Sequence, residues 1–159
     1  MRKQKIYLET TLFNYYLDAD RGFPHHCTVA LFDEIAQGKY EAFTSRYVVD
    51  ELDAAPDAKS RQMTSIILER NIPVLHHSDE AARLAELYIE AGVIPRKYGT
   101  DGLHIAIATV SDLDMIVSMN FRHIVKRKTK TGAAHIGAMN GYRAIEICSP
   151  MEVVDNEND

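Results

Sequence analysis

Apolar residues fall in short runs, and the stretches between them carry apolar positions at helical spacing. Lys5 to Leu8 predicts a strand with β-favouring Ile6 and Tyr7. Thr10 or Thr11 is placed to cap a helix running to about Asp18, with Leu12, Tyr15 and Tyr16 in register. Asp20-Arg-Gly-Phe-Pro24 breaks the chain. A second helix is predicted over Thr28 to Gln37, ended by Gly38 in the C′ position. Glu41 to Thr44 predicts a second strand, and Ser45 caps a short helix through Val48, Val49 and Leu52. Past the joint Ala55-Pro56-Asp57, Asp57 is placed to cap a helix from Ala58 to Arg70. Ile72 to Leu75 predicts a third strand, followed by a helix Asp79 to Ala91 capped by Ser78. Thr100 is expected to cap a strongly apolar helix from Asp101 to about Val110.

Met115 to Ser118 is apolar almost throughout, as expected of a strand covered on both faces. Phe121 to Lys128 is open to a helical start. Thr131 to Asn140, rich in Gly and Ala, reads equally as loop or weak helix. Arg143 to Cys148 predicts a fifth strand stopped by Pro150. Strands alternating with helices argue for right-handed crossovers and an α/β fold with a central five-stranded, mainly parallel sheet. No repeat, low-complexity segment or long linker divides the chain, so residues 1–154 are expected to form one domain, with 155–159 a polar tail.

Composition changes this picture little. The 159 residues are 46% hydrophobic and 26% charged, ordinary for a globular protein. No apolar run approaches the ~18 residues of a membrane span. The basic start is followed by only Ile6-Tyr-Leu8 before Glu9, too short for the apolar stretch of a signal peptide, so a cytoplasmic location is expected. Cys27 and Cys148 lack zinc or redox spacing and read as buried thiols. The histidine pairs His25-His26 and His76-His77 lack a third ligand. No GxGxxG or GxxxxGK[ST] follows a strand, and there is no GxSxG elbow, which disfavours nucleotide-dependent and serine-hydrolase chemistry. The net charge of −5 argues against a simple nucleic-acid-coating protein, yet Arg122, His123, Lys126, Arg127, Lys128 and Lys130 form a local basic cluster free of acids.

The acidic residues carry the chemistry. Ligand sites of parallel sheets lie beyond the carboxyl ends of the strands. Glu9 follows the first strand, Glu51 lies in the helix after the second, Asp101 opens the helix before the fourth, and Asn120 follows the fourth. Oxygen ligands from several segments suit Mg²⁺ or Mn²⁺. The bland alternatives are a first-turn acid for Glu9 and Asp101 and a solvated helix residue for Glu51. Taken together, these leave the placement after successive strands unexplained. His104 shares a helix face with Asp101, either as a packing residue or as a donor to a carboxylate.

Four segments, Ile6-Tyr-Leu-Glu-Thr-Thr-Leu12, Tyr47-Val-Val-Asp-Glu-Leu52, Gly99-Thr-Asp-Gly-Leu-His-Ile-Ala-Ile-Ala108 and Val117-Ser-Met-Asn-Phe-Arg-His-Ile124, span nearly the whole chain. In their residues and order they resemble the PIN-domain family, especially the toxin-type ribonucleases of toxin–antitoxin pairs. The third is the most specific. The resemblance implies a PIN-like three-layer fold and metal-dependent endonucleolytic cleavage of RNA. It also implies a cognate antitoxin and a homodimer. By motif, Glu9, Glu51, Asp101 and Asn120 are the catalytic set. Glu9, Glu51 and Asp101 would hold the Mg²⁺ or Mn²⁺, with Thr10 orienting a ligand or water. Arg122, Lys126 and Arg127 are expected to meet RNA phosphates. Glu9 stands where the family usually has Asp, and neutral Asn120 where a fourth Asp is common. Those departures favour the alternative, a degenerate PIN-like domain binding RNA or protein without catalysis.

Overall fold

The computed structural model describes residues 2–154; the expected polar tail at 155–159 lies outside them. Five strands form one sheet in the order β3-β2-β1-β4-β5: β1 (Gln4–Leu8), β2 (Tyr40–Ser45), β3 (Val74–Leu75), β4 (Met115–Val117) and β5 (Glu146–Cys148). Every neighbouring pair is parallel, so the sheet is wholly rather than mainly so. β1 is central, pairing Tyr7 with Phe43 on one side and with Ile116 on the other. Ile6, Tyr7 and Leu8 have no exposed surface, as a strand covered on both faces requires.

The helices are α1 (Thr10–Leu17), α2 (Phe23–Ala36), α3 (Arg46–Asp53), α4 (Asp57–Glu69), α5 (Asp79–Glu90), α6 (Gly99–Val110), α7 (Arg127–Met139) and α8 (Pro150–Val153). α1 packs on α2, α3 and α4, while α5 packs on α6 and α7. Both cysteines are buried free thiols, as expected.

Several boundaries differ from the sequence expectation, each for a local reason. α1 is capped by Glu9, whose carboxylate accepts from Thr11 N, rather than by a threonine. α2 begins at Phe23, not Thr28, because Pro24 sits in the first turn, where its missing N–H leaves no bond unmade. Pro56 precedes α4 and Tyr98 precedes α6, so neither Asp57 nor Thr100 caps; both lie inside the first turn. β3 is only two residues long. Ile72 N bonds back to Ile67 O at the end of α4 and is withheld from the ladder. β5 begins at Glu146, which pairs with Met115 at the start of β4 and bonds through its N–H to Asp114 O. Phe121 to Lys126 is a series of turns, with Ile124 N and Val125 N bonded to Asn120 O.

The Gly- and Ala-rich segment takes the helical of its two alternatives and forms most of α7. Thr129, Ala133 and Gly137, four residues apart, are buried along one side. Gly132 passes so close to Val93 that a Cβ there would lie 2.6 Å from a Val93 methyl. Small residues are what let this helix dock.

Candidate metal and nuclease site at the carboxyl edge

The carboxyl ends of β1 and β4 lie side by side, and the chain leaving them builds the site. Glu9 continues the ladder through its N–H to Val117 O and is 2% exposed. A buried carboxylate needs donors. Its Oε1 takes three, Thr11 N at 3.2 Å, Thr11 Oγ1 at 2.6 Å and Ser118 Oγ at 2.6 Å. The two hydroxyls also accept backbone N–H groups, Thr11 from Met119 and Ser118 from Asn120. Glu9 is thereby tied to both the start of α1 and the loop after β4.

Glu51 sits in α3, whose start is fixed by Ser45 Oγ accepting from Val48 N. Its Oε1 accepts from Thr10 Oγ1 at 3.1 Å and from His104 Nε2. His104 is fully buried, and its Nδ1 meets Tyr7 Oη at 2.7 Å, which in turn meets Ser45 Oγ at 2.6 Å. A hydrogen-bonded line thus runs from the start of α3 through β1 and α6 back to Glu51. His104 is therefore both a core residue and a carboxylate partner, satisfying the two sequence alternatives at once. Burial opposes its charge, but the Glu51 bond and the fields of Glu9, Glu51 and Asp101 outweigh burial and raise its pKa. Burial pushes the Glu51 carboxyl up, yet the His104 bond and charge, aided by Thr10, hold it below the ordinary range.

Asp101 lies in the first turn of α6. Its Oδ1 accepts from Asn120 Nδ2 at 3.3 Å. Burial, then the field of Glu9 and a smaller one from Glu51, push its pKa to about 6 despite His104 and Asn120. The structure therefore brings Glu9, Glu51, Asp101 and Asn120 into one electrostatic and hydrogen-bonded neighbourhood. Asn120 differs from expectation in one respect. Its Oδ1 accepts from His123 N at 3.0 Å, so the group facing Asp101 is its amide N–H, not its oxygen.

Among the described residues, no three His, Cys, Asp or Glu side chains stand as a ready metal-ligand group. The donor set still fits a hard cation in kind. In each of Glu9, Glu51 and Asp101 the hydrogen bonds fall on one oxygen only, among the described residues. Asp101 is raised first by burial and then by its acidic neighbours, with His104 only partly offsetting them.

Arg122 and Arg127 are exposed and Lys126 half-buried in the turns after Asn120. Their side chains make no hydrogen bond or ion pair among the described residues, and Arg122 and Lys126 help lower the pKa of His123, after burial. Lys130, by contrast, reaches Glu152 at 3.5 Å. Sequence reasoning missed Thr11, Ser118 and Tyr7 as supports of the acids. The available signal was hydroxyl residues flanking the two strand ends that share an edge.

The wholly parallel five-stranded sheet between helices is a PIN-like α/β fold, so the resemblance carried by the motifs is met at the level of the fold. A chain in the crystal structure of VapBC2 from Rickettsia felis bound to a DNA fragment from their promoter is similar to it. The TM-score is 0.58 at 12% identity, over 92% of this chain and 98% of that one. At that identity the likeness concerns the fold. The sequence matches no family model. It matches no curated protein either. No helix among the described residues is long and apolar enough to cross a membrane.

Proposed function

We propose that the protein is a cytoplasmic, metal-dependent endoribonuclease that hydrolyses RNA phosphodiester bonds, and the toxin of a toxin–antitoxin pair. The observation that carries this reading is the gathering of Glu9, Glu51 and Asp101 at the sheet's carboxyl edge, each hydrogen-bonded through one oxygen only among the described residues. Burial, then the charges of Glu9 and Glu51, push Asp101 up to about 6. Carboxylates held in mutual repulsion favour a divalent cation as their counter-charge. Such an ion lowers the pKa of a bound water and offsets phosphate charge when bound.

In this reading Asp101 and Glu9 are the leading ligands, with Glu51 beside them. Mg²⁺ keeps several waters, so one or two carboxylates suffice and a preformed group of three is not required. Thr11 and Ser118 hold Glu9 in place, His104 holds Glu51, and Asn120 steadies Asp101 through its N–H. Arg122, Lys126 and Arg127 take the RNA phosphates. The toxin–antitoxin part, with a cognate antitoxin and a homodimer, is supported by the sequence motifs and by the fold shared with the VapBC2 chain.

The second reading, a non-catalytic RNA- or protein-binding module, draws on the engaged oxygen of Asn120 and the lack of a three-ligand group. An RNA-cleavage assay with and without Mn²⁺ separates the two. Cleavage that needs Mn²⁺ and is lost in Asp101→Asn supports the nuclease; equal cleavage by the variant refutes it.

A further inference from the structure

Glu51 also borders an open cleft of about 440 Å³. This is within the range of small-molecule sites, roughly 300–1,000 Å³. Tyr47, Asp50 and Glu51 line it from α3, Thr100 and Leu103 from the start of α6, and His77 from the link between β3 and α5. The Tyr47 ring meets the His77 ring edge-on, with centroids 4.3 Å apart. Asp50 lies 3.2 Å from Arg46 Nε and 3.4 Å from His77 Nε2, and both Asp50 and His77 are about half exposed. Along the sheet order, the acidic rim at β1 and β4 therefore separates two unlike features. The basic turns follow β4, and this aromatic, carboxylate-bearing cleft follows β2 and β3.

We propose that the cleft is a base-recognition subsite that takes one unpaired guanine of the RNA strand, stacked against His77 and read by the Asp50 carboxylate; the inference rests on the nuclease reading above. Single-stranded RNA is recognised by splaying bases onto aromatic rings and bonding their pairing edges. A carboxylate only accepts hydrogen bonds. Guanine alone presents two adjacent donors on its pairing edge, N1–H and the 2-amino group, which match the two carboxylate oxygens as they exchange their half-exposed Arg46 and His77 contacts for the base. Adenine and cytosine each present one amino group beside an acceptor, and uracil one N–H between acceptors. Leu103 and Tyr47 supply the apolar surface that the base covers. Asp50 and Glu51 both line this cleft, so a base held at Asp50 sets its neighbouring phosphate at the acidic rim, while the strand runs on toward Arg122 and Lys126.

The test uses four fluorescein-labelled heptanucleotides in EDTA: heptauridylate, and the same chain with a central guanosine, adenosine or cytidine. Anisotropy titrations of the full-length protein should show the guanosine oligomer bound at least about fivefold tighter than the other three, the lower end of what one bidentate edge contact discriminates. Asp50→Ala should bring all four within about twofold of each other, and His77→Ala should weaken the guanosine oligomer at least about threefold. Both residues are surface positions, and a melting curve checks that each variant is folded. Equal binding of the four oligomers, no binding of any, or a guanosine preference retained in Asp50→Ala overturns the proposal. The same oligomers incubated with Mn²⁺ keep the two readings apart. Guanosine preference without cleavage refutes the nuclease and retains the subsite. Cleavage without guanosine preference refutes the subsite alone.

Discussion

Asp101→Asn should remove cleavage and, in the absence of metal, make the protein more stable. The folded protein raises this carboxyl from 3.8 to about 6, so its charged form costs about 3 kcal/mol at neutral pH. Two effects reduce that figure. Asp101 is only partly buried, and a negative charge in the first turn of α6 gains roughly 0.3–1 kcal/mol from the helix N-terminus. A net gain of about 1–2 kcal/mol remains for the asparagine, which keeps an oxygen to accept from Asn120 Nδ2. The sign fixes the pH window. Because the folded pKa lies above the unfolded one, the cost is absent below pH about 4, grows between about 4 and 6, and is complete above 6. Urea unfolding in EDTA should therefore show the variant more stable than the parent at pH 7.5 and equal to it at pH 4. Adding Mn²⁺ should then raise the melting temperature of the parent and leave the variant nearly unmoved. A variant less stable than the parent at pH 7.5, or an advantage of the same size at both pH values, refutes the account of Asp101 as a carboxylate crowded by Glu9 and Glu51.

Three further outcomes are expected. Asp114, at the opposite edge of the sheet, accepts from Lys5 N, Arg2 and Arg143, each at 2.7 Å, and against its burial these bonds bring its pKa down to about 2. With both guanidiniums about half exposed and screened, Asp114→Ala should cost about 1–2 kcal/mol at pH 7. That loss should fade as acid titration falls from about pH 4 towards 2, and a penalty independent of pH would show that packing, not charge, is at work. Gly132→Ala should lower stability by about 1–3 kcal/mol, because the new methyl meets the stiff Val93 side chain at 2.6 Å. Chemical denaturation checks this, and a Val93→Ala background should recover part of the loss. Replacing Arg122, Lys126 or Arg127 singly by Ala should weaken RNA binding and reduce its log–log salt slope by about 0.7. A slope that stays put makes the residue an ordinary solvated cation.

The chain's local pattern was enough for the order of strands and helices, the parallel α/β class and the positions of the four polar residues after strands. These follow from apolar periodicity and from the rule that crossovers return a chain to the same edge. Helix starts were less legible. A cap depends on which side chain reaches an N–H, and Glu9 took that place from two threonines that themselves face Glu51 and Met119. Composition left α7 undecided between loop and helix, since Gly132 and Gly137 weaken the local helix signal but allow close contact once α5 and Val93 are near. What only the tertiary structure decided was how the acids are held: Ser118 and Thr11 on Glu9, buried His104 on Glu51, and the amide N–H of Asn120 on Asp101. Thr11 is local to Glu9, but Ser118, His104 and Asn120 lie 109, 53 and 19 residues from the acids they hold. Their bonds and the pKa values they set come from burial and proximity, which exist only once the sheet brings β1 and β4 together.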